Sequence, residues 1–211
     1  MMLDDELKNK LADITKIFEK KIELVVIKGE ESEETQDMIE MIQDIASTSE
    51  KISVKIFEKE SLELKDKGIN LEKLPAVVIL DENGEFSRIK YIAVPTGQEL
   101  NSFILAMYNV AGPGQKINES IIERIKKIDK KLDLKIGISL DCHRCAETVQ
   151  SCQRIVVENK NISLEAIDVF SHKDFKIKYD LVNVPAIIIN DSKMFFGQLS
   201  IEEVVDILET L

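Results

Sequence analysis

The chain has 211 residues, of which 44% are apolar and 32% charged, and it carries a formal charge of −11. This composition is typical of a soluble globular protein with one large or two small domains. The negative charge argues against a nucleic-acid partner, which needs a basic face, and no apolar run approaches the roughly 18–20 residues that span a bilayer. The first residues resemble no signal peptide, so we expect no membrane partner and a cytoplasmic, reducing location.

The first half of the chain alternates between helical and strand patterns. A mixed polar and apolar helix, DELKNKLADITKIFEK, precedes a strand, IELVVIK, and an amphipathic helix, EETQDMIEMIQDIA, in which Met38, Ile42 and Ile45 recur at helical spacing. A second strand begins at Ile52, and a short polar helix or turn follows. A buried strand, PAVVIL, then begins at Pro75, and it is followed by a hairpin partner, FSRIKYIA, and a closing helix, GQELNSFILAMYNV.

The second half repeats this series. Its corresponding segments are NESIIERIKKIDK, LDLKIGIS, CAETVQSCQRIVVE, ISLEAID, PAIII, KMFFG and SIEEVVDILETL. At an offset of 110 residues, KIEL faces KLDL, ISVKIFEKES faces ISLEAIDVFS, and LPAVVILDE faces VPAIIINDS without a gap. Three matches in one register indicate an internal repeat. The Pro/Gly cluster AGPGQ marks the boundary, so we expect two units, residues 1–113 and 114–211.

The order of elements in each unit is that of thioredoxin-like folds. The predicted fold class is α/β, with two tandem thioredoxin-like folds, each a small mixed β-sheet flanked by helices. The first strand–helix–strand crossover makes the first two strands parallel. Because the boundary is only a few residues long, we expect the two units to pack as one rigid body with a continuous or closely abutting sheet.

Two of the three cysteines form a Cys-x-x-C motif in the stretch SLDCHRCAETVQ. The motif falls at a strand-to-helix turn, where unpaired backbone N–H groups and the helix dipole favour a thiolate at Cys142. His143 and Arg144 can add positive potential beside it. We expect Cys142 to attack a substrate disulfide and the less exposed Cys145 to resolve the mixed disulfide.

A metal site and a purely structural disulfide are the alternatives for this pair. A structural zinc site needs four ligands at characteristic sequence spacings. The further candidates are Cys152, His143 and His172, and their spacing from the pair matches no familiar zinc motif, so no metal is expected. Cys152 matches Ile42 of the first unit, a core position, which favours a buried inert thiol over a third redox group. His172 lies in the polar segment SHKDFK and is expected to be solvated, as is the acidic run GEESEE.

The first unit keeps the scaffold but not the thiols. Ser32 and Thr35 stand at the positions of the two cysteines, so this unit can only dock a partner or buttress the second one. Pro75 is kept and matches Pro185, which begins a buried strand, where proline would otherwise lose a ladder hydrogen bond. In thioredoxin-like folds this proline is cis and packs against the disulfide. The backbone of Val184 is then free to pair with an extended substrate.

Four stretches together carry a family resemblance: SLDCHRCAETVQ, VPAIIINDSKMFFGQ, VPTGQELNSFILAMYNVAG and IERIKKIDKKLDLKIGISLDCHRC. They resemble the N-terminal domain of the flavoprotein subunit of alkyl hydroperoxide reductase, over nearly the whole chain. Archaeal protein disulfide oxidoreductases share the tandem fold but usually carry two active couples. The resemblance implies a thiol–disulfide oxidoreductase that passes electrons from a flavin–pyridine nucleotide module to a peroxiredoxin disulfide. It also implies that Glu99, in GQEL, reaches the couple as a proton acceptor.

The chain departs from the family pattern at two positions. Ala146 stands where the family often has proline, and Arg144 where it has a neutral residue. No Gly-x-Gly-x-x-Gly motif occurs, so no flavin or nicotinamide site is expected and a separate flavin-dependent, thioredoxin-reductase-like protein must supply electrons. The chain is then a stand-alone carrier or a fragment of a longer flavoprotein. The alternatives are a redox-inactive docking module and a general protein disulfide oxidoreductase with broad substrates.

Overall fold

A computed structural model describes residues 2–211, which form eight helices and eight strands. The elements of the first half are α1 (Asp5–Lys16), β1 (Ile22–Ile27), α2 (Glu33–Ala46), β2 (Ile52–Phe57), α3 (Leu62–Asp66), β3 (Ala76–Leu80), β4 (Phe86–Ile92) and α4 (Gln98–Ala111). The elements of the second half are α5 (Glu119–Lys127), β5 (Leu132–Ile138), α6 (His143–Glu158), β6 (Ile162–Asp168), α7 (Lys173–Lys178), β7 (Ala186–Ile189), β8 (Lys193–Phe196) and α8 (Ile201–Glu209). None of the helices formed by residues 2–211 has the length and apolar character needed to span a bilayer.

All eight strands belong to one mixed sheet, in the order β2-β1-β3-β4-β6-β5-β7-β8. Each half therefore contributes the same four-stranded arrangement, and the predicted thioredoxin-like α/β class is confirmed. β1 pairs in parallel with β2, and β5 with β6, so the parallel crossovers are also confirmed. The paired residues repeat at the offset found in the sequence, since Ile22 faces Ile52 and Leu132 faces Ile162.

The two halves join through their sheets and their cores. β4 pairs in parallel with β6, which makes the sheet continuous, as predicted. On one face of the sheet, α4 of the first half packs against α6 of the second. One hydrophobic cluster includes buried residues of both halves, among them Phe103 from α4 and Val149 from α6. Burial of apolar surface is the main favourable term in folding, so this shared core stabilises both halves.

The strand directions decide where functional residues gather. β1, β4, β5 and β6 run in one direction, and β3 and β7 run in the opposite direction. The ends of the first four strands and the starts of the other two therefore lie along one border of the sheet, here called the carboxyl edge. In open α/β sheets, functional sites lie beyond the carboxyl ends of the strands.

Candidate active site

Cys142 and Cys145 form a disulfide at the carboxyl edge, between β5 and α6, with their Cα atoms 5.2 Å apart. Cys142 is the N-cap of α6, and its sulfur accepts a hydrogen bond from the backbone N–H of Cys145 at 3.2 Å. Cys142 is half-buried, whereas Cys145 has no exposed surface. Cys142 is thus the more accessible of the two cysteines, and Cys145 is the less exposed one, as the sequence predicts.

The two residues between the cysteines point towards solvent. The side chain of His143 is 74% exposed, and its Nε2 lies 3.2 Å from a carboxylate oxygen of Glu147, one turn further along α6. Its Nδ1 lies 3.3 Å from Oε1 of Gln98, at the start of α4. Arg144 is exposed. His143 therefore contacts both halves of the molecule beside the disulfide.

The peptide bond between Val184 and Pro185 is cis, as expected, and so is the bond between Leu74 and Pro75 in the first half. Pro185 is buried and Val184 is half-buried, just before β7. The ladder between β5 and β7 ends at the pair Gly137 and Ala186, so Val184 lies outside it. Both Val184 and Cys142 pack against the large hydrophobic cluster.

The start of α4 is held against the loop that precedes Cys142. The backbone N–H of Gln98 donates a hydrogen bond to the carbonyl oxygen of Leu140 at 2.9 Å. Gly97 has φ +55°, and a Cβ atom at this position would lie 2.7 Å from the same oxygen. Only glycine fits here, because a side chain would both clash and occupy a disfavoured backbone region. The close approach of these loops fixes the two halves at the site.

Glu99, the residue that the family resemblance singled out, lies in the first turn of α4 with no exposed surface. Its Oε2 accepts a hydrogen bond from the hydroxyl of Ser102, and its buried Oε1 has no hydrogen-bond partner among residues 2–211. Burial raises the pKa of Glu99 to about 7, and the hydrogen bond from Ser102 acts in the opposite direction. A carboxyl group in this state can bind or release a proton near neutral pH.

A buried polar network continues from Ser102. The Tyr91 hydroxyl lies 3.2 Å from the Ser102 hydroxyl and donates to Oε1 of Gln153 at 3.0 Å. The Gln153 side-chain amide donates in turn to the Ser102 carbonyl oxygen at 2.9 Å. The network thus joins β4 and α4 of the first half to α6, the helix that carries the cysteines. Sequence analysis missed these three residues, because a hydrogen bond between residues as distant in the chain as Tyr91 and Gln153 leaves no local pattern.

Of the predictions for Cys152 and His172, the first agrees with the structure and the second does not. Cys152 is fully buried and free, and burial raises its pKa to about 12, as expected of an inert core thiol. The prediction that His172 is solvated is wrong. Its side chain is only 11% exposed, with Nε2 3.9 Å from a carboxylate oxygen of Glu34, because the loop after β6 folds back against the first half. Residues 2–211 contain no group of three or more His, Cys, Asp or Glu side chains placed to hold a metal ion.

The first half reproduces the local geometry of the site without its sulfurs. Ser32 is the N-cap of α2, and its hydroxyl accepts a hydrogen bond from the backbone N–H of Thr35 at 3.2 Å. Its side-chain oxygen also lies 3.1 Å from that of Thr35. The two hydroxyls therefore take the places of the two sulfurs, as the repeat alignment predicts.

A disulfide-forming pair at a helix N-terminus in a thioredoxin-like fold defines a thiol–disulfide oxidoreductase. Comparisons with known proteins agree, since a family model described as a thioredoxin domain matches residues 132–209. The NTD_N/C domain of alkylhydroperoxide reductase AhpF from Enterococcus faecalis V583 superposes with a TM-score of 0.91 at 30% identity, over 98% of this chain and 99% of that one. The chain therefore belongs to the family of AhpF N-terminal domains.

Curated relatives extend well beyond the matched region. A Bacillus subtilis protein named NADH dehydrogenase is 29% identical over 205 residues, covering 97% of this chain and 38% of its own length. A Staphylococcus aureus component of alkyl hydroperoxide reductase is 28% identical over 206 residues, which cover 97% of this chain and 37% of that protein. This chain thus spans less than two-fifths of these relatives. A protein disulfide oxidoreductase from Aeropyrum pernix, with a TM-score of 0.87 and 18% identity, shares the fold.

Proposed function

We propose that this chain relays electrons from a flavin-dependent, thioredoxin-reductase-like module to the disulfide of a peroxiredoxin. The observation that carries the proposal is the Cys142–Cys145 couple, in which Cys142 is half-buried and Cys145 fully buried, in a chain of the AhpF family. The relatives named as alkyl hydroperoxide reductases support the direction of flow, towards a protein that reduces hydroperoxides.

The chemistry is a pair of thiol–disulfide exchanges. In the reduced chain, the thiolate of Cys142 attacks one sulfur of the acceptor disulfide, and the other acceptor sulfur leaves as a thiolate. Cys145 then attacks the sulfur of Cys142, which releases the second acceptor thiolate and closes the Cys142–Cys145 disulfide. The acceptor gains two electrons and two protons, and the couple loses them. Exchange with the dithiol of the reductase module restores the reduced couple.

Residues around the couple take supporting roles in this proposal. Glu99 accepts the proton of Cys145 as that thiol becomes a nucleophile. Its buried Oε1 atom, which has no hydrogen-bond partner among residues 2–211, is the free position for that proton. His143 and Arg144 add positive potential that favours the Cys142 thiolate. The backbone of Val184, outside the β-ladder, pairs with the extended segment that carries the acceptor disulfide.

A single-turnover experiment tests the relay. The chain is reduced, freed of reductant and mixed with an oxidised peroxiredoxin, and the loss of acceptor disulfide is followed by quenched-flow alkylation. Cys142→Ser should abolish the reaction, and Cys145→Ser should accumulate a mixed disulfide through Cys142. Cys152→Ala is the matched control, because this buried cysteine lies outside the couple, and it should react as the parent does.

The upstream step is tested with a flavin-dependent thioredoxin reductase and reduced pyridine nucleotide, with glutathione as the comparison. Rapid reduction of the couple by the flavoprotein and slow reduction by glutathione are expected. Equal reduction of many unrelated protein disulfides would instead identify a general protein disulfide oxidoreductase. Full activity of Cys142→Ser would rule out the assignment of this couple.

A further inference from the structure

A cleft opens at the carboxyl edge, lined mostly by residues of the half without redox cysteines. Its volume is about 660 Å³, and we call it the β1 cleft. Its walls are residues 28–34 after β1, residues 58–60 after β2, residues 72–75 before β3, and Ser171 and His172 from the loop after β6. The cleft therefore lies at the junction of both halves, on the same border of the sheet as the disulfide.

The loops after β6 and before β7 link this cleft to the redox centre. His172, in the loop after β6, reaches the first half, where its Nε2 lies near a carboxylate oxygen of Glu34. Val184, just before β7, packs against the same large hydrophobic cluster as Cys142. Because β1, β5 and β6 run in the same direction, the cleft and the couple face the same side of the molecule. One partner protein can therefore contact both at once.

Leu74 and Pro75, which line the β1 cleft, lie just beyond the end of a β-ladder. The ladder between β1 and β3 stops at the pair Ile27 and Ala76, so Leu74 lies outside it, just as Val184 lies outside the corresponding ladder of the second half. A Cβ atom on Gly29 would lie 2.9 Å from the backbone nitrogen of Pro75, which shows how closely the two backbones approach. An extended peptide segment can lie along such a strand end.

The excess negative charge of the cleft favours a positively charged partner segment. Its lining contains five carboxylates, which are Glu30, Glu34, Glu58, Glu60 and Glu72, against two lysines, Lys28 and Lys59. Lys28 is already bonded to Glu58 at 2.7 Å. Burial lowers the pKa of His172, so its imidazole is neutral at pH 7 and leaves the excess negative charge in place. A segment that bears lysine or arginine side chains complements this surface.

We propose that the β1 cleft is a docking site for an extended, lysine- or arginine-bearing segment of the protein whose disulfide the Cys142–Cys145 couple reduces. The proposal rests on the proposed relay for the identity of the partner, but the binding itself does not require redox chemistry. The cleft gives the otherwise thiol-free half a role in recognition. It orients the acceptor disulfide by holding a second point of the partner.

Binding is measured first, with the full chain in its disulfide form and cysteine-free, fluorescein-labelled dodecapeptides. One peptide carries four lysines, and its match carries glutamines at those positions. The cleft variant is Glu30→Gln/Glu60→Gln/Glu72→Gln, whose three side chains have no hydrogen bond or ion pair with other side chains of residues 2–211. The control is Glu85→Gln/Glu123→Gln/Glu202→Gln, which removes the same charge from exposed positions outside the cleft.

The lysine peptide should bind the parent and the control at least about fivefold more tightly than it binds the cleft variant, and high salt should remove the difference. Equal affinities for the two peptides, or an equal loss in both triple variants, would overturn the docking site. The same peptide pair with an added intramolecular disulfide gives a kinetic test. The parent should reduce the lysine form faster than the glutamine form, and the cleft variant should reduce both alike.

These measurements distinguish failure of the docking proposal from failure of the relay proposal. Reduction of the glutamine disulfide peptide reports on the couple alone, whereas binding of the cysteine-free lysine peptide reports on the cleft alone. Equal reduction rates for the two disulfide peptides by the parent would contradict the claim that the cleft serves the redox partner.

Discussion

The hydroxyl of Ser102 donates a hydrogen bond to Oε2 of Glu99 inside the contact between α4 and α6. This bond stabilises the ionised carboxylate, while burial favours the protonated acid. The two effects leave the pKa of Glu99 at about 7. A carboxyl group of the first half is thereby poised near neutral pH beneath the helix that carries the redox couple.

The free energy of unfolding should depend on pH because Glu99 is buried. The pKa of Glu99 rises from 4.5 to about 7 on folding, so folding favours the protonated form. The stabilisation is fully present below about pH 4.5 and is lost as the pH rises through about 7, by about 3 kcal/mol for this shift. Glu99→Gln keeps a neutral side chain at every pH. Urea unfolding should therefore show the variant gaining stability over the parent between pH 4.5 and pH 8.5.

The same substitution at Glu202, an exposed residue of α8, provides the control for that experiment. A difference between Glu99→Gln and the parent that stays constant from pH 4.5 to pH 8.5 would contradict the buried-acid account. The disulfide is kept intact in all samples, because the pKa of Glu99 refers to the oxidised couple.

Ser102→Ala tests whether the hydroxyl sets the pKa of Glu99. Removing the hydrogen bond removes the side-chain contact that lowers this pKa, so the carboxyl should titrate at a higher pH. The pH dependence of mixed-disulfide resolution should move upward with it, and Ser102→Thr should restore the parent profile. Carboxyl-carbon NMR of Glu99 follows the titration directly. An unchanged titration midpoint in Ser102→Ala would show that burial alone sets the pKa.

The three cysteines should differ in reactivity. In the reduced native chain, Cys142 should alkylate fastest and with a pKa below about 8.5, because its sulfur lies at the start of α6. Cys152 should resist alkylation until the chain unfolds, since it is buried and its pKa is raised to about 12. Peptide mapping after timed iodoacetamide treatment at several pH values measures both. Rapid labelling of Cys152 in the native chain would contradict its place in the core.

Gly97 provides a test of the loop contact at the site. Gly97→Ala places a Cβ atom against the Leu140 carbonyl at positive φ, and it should cost at least about 3 kcal/mol through strain and overpacking. Gly68 also has positive φ, at +69°, but open space around it. Gly68→Ala should therefore cost only about 1–2 kcal/mol, the backbone part alone. Urea unfolding compares the two, and equal losses would show that the Leu140 contact is unimportant.

Much of this architecture was predictable because the sequence contains two copies of the same structural unit. The 110-residue offset paired Ile22 with Leu132 in the sequence, and the same offset appears in the sheet registers. Cys142 and Cys145 were predictable because cysteine spacing is a local signal. Both features follow from residues close together in the chain or from the comparison of its two halves.

The features that were missed depend on contacts between distant elements. His172 lies in a polar segment, and its side chain is largely shielded from solvent because its loop returns to Glu34. Gln153 and Tyr91 are 62 residues apart, so their hydrogen bond has no local signature. The acidic loop after β1 is mostly exposed, as expected, but the sequence alone could not show that Glu30 and Glu34 line a cleft.

The pairing of β4 with β6 predicts that the second half is less stable when it is separated from the first. In the intact chain β6 lies between β4 and β5, and α6 packs against α4. A fragment of residues 114–211 would leave β6 as an edge strand and expose the buried face of α6. Unpaired edges and exposed apolar faces destabilise and promote association. The fragment should therefore unfold at lower urea concentration, associate on gel filtration, and exchange disulfides more slowly than the whole chain. Glu99→Gln in the whole chain separates the loss of the acid from the loss of packing. A monomeric fragment as stable and as fast as the intact chain, together with a silent Glu99→Gln, would show that the first half is an independent docking domain.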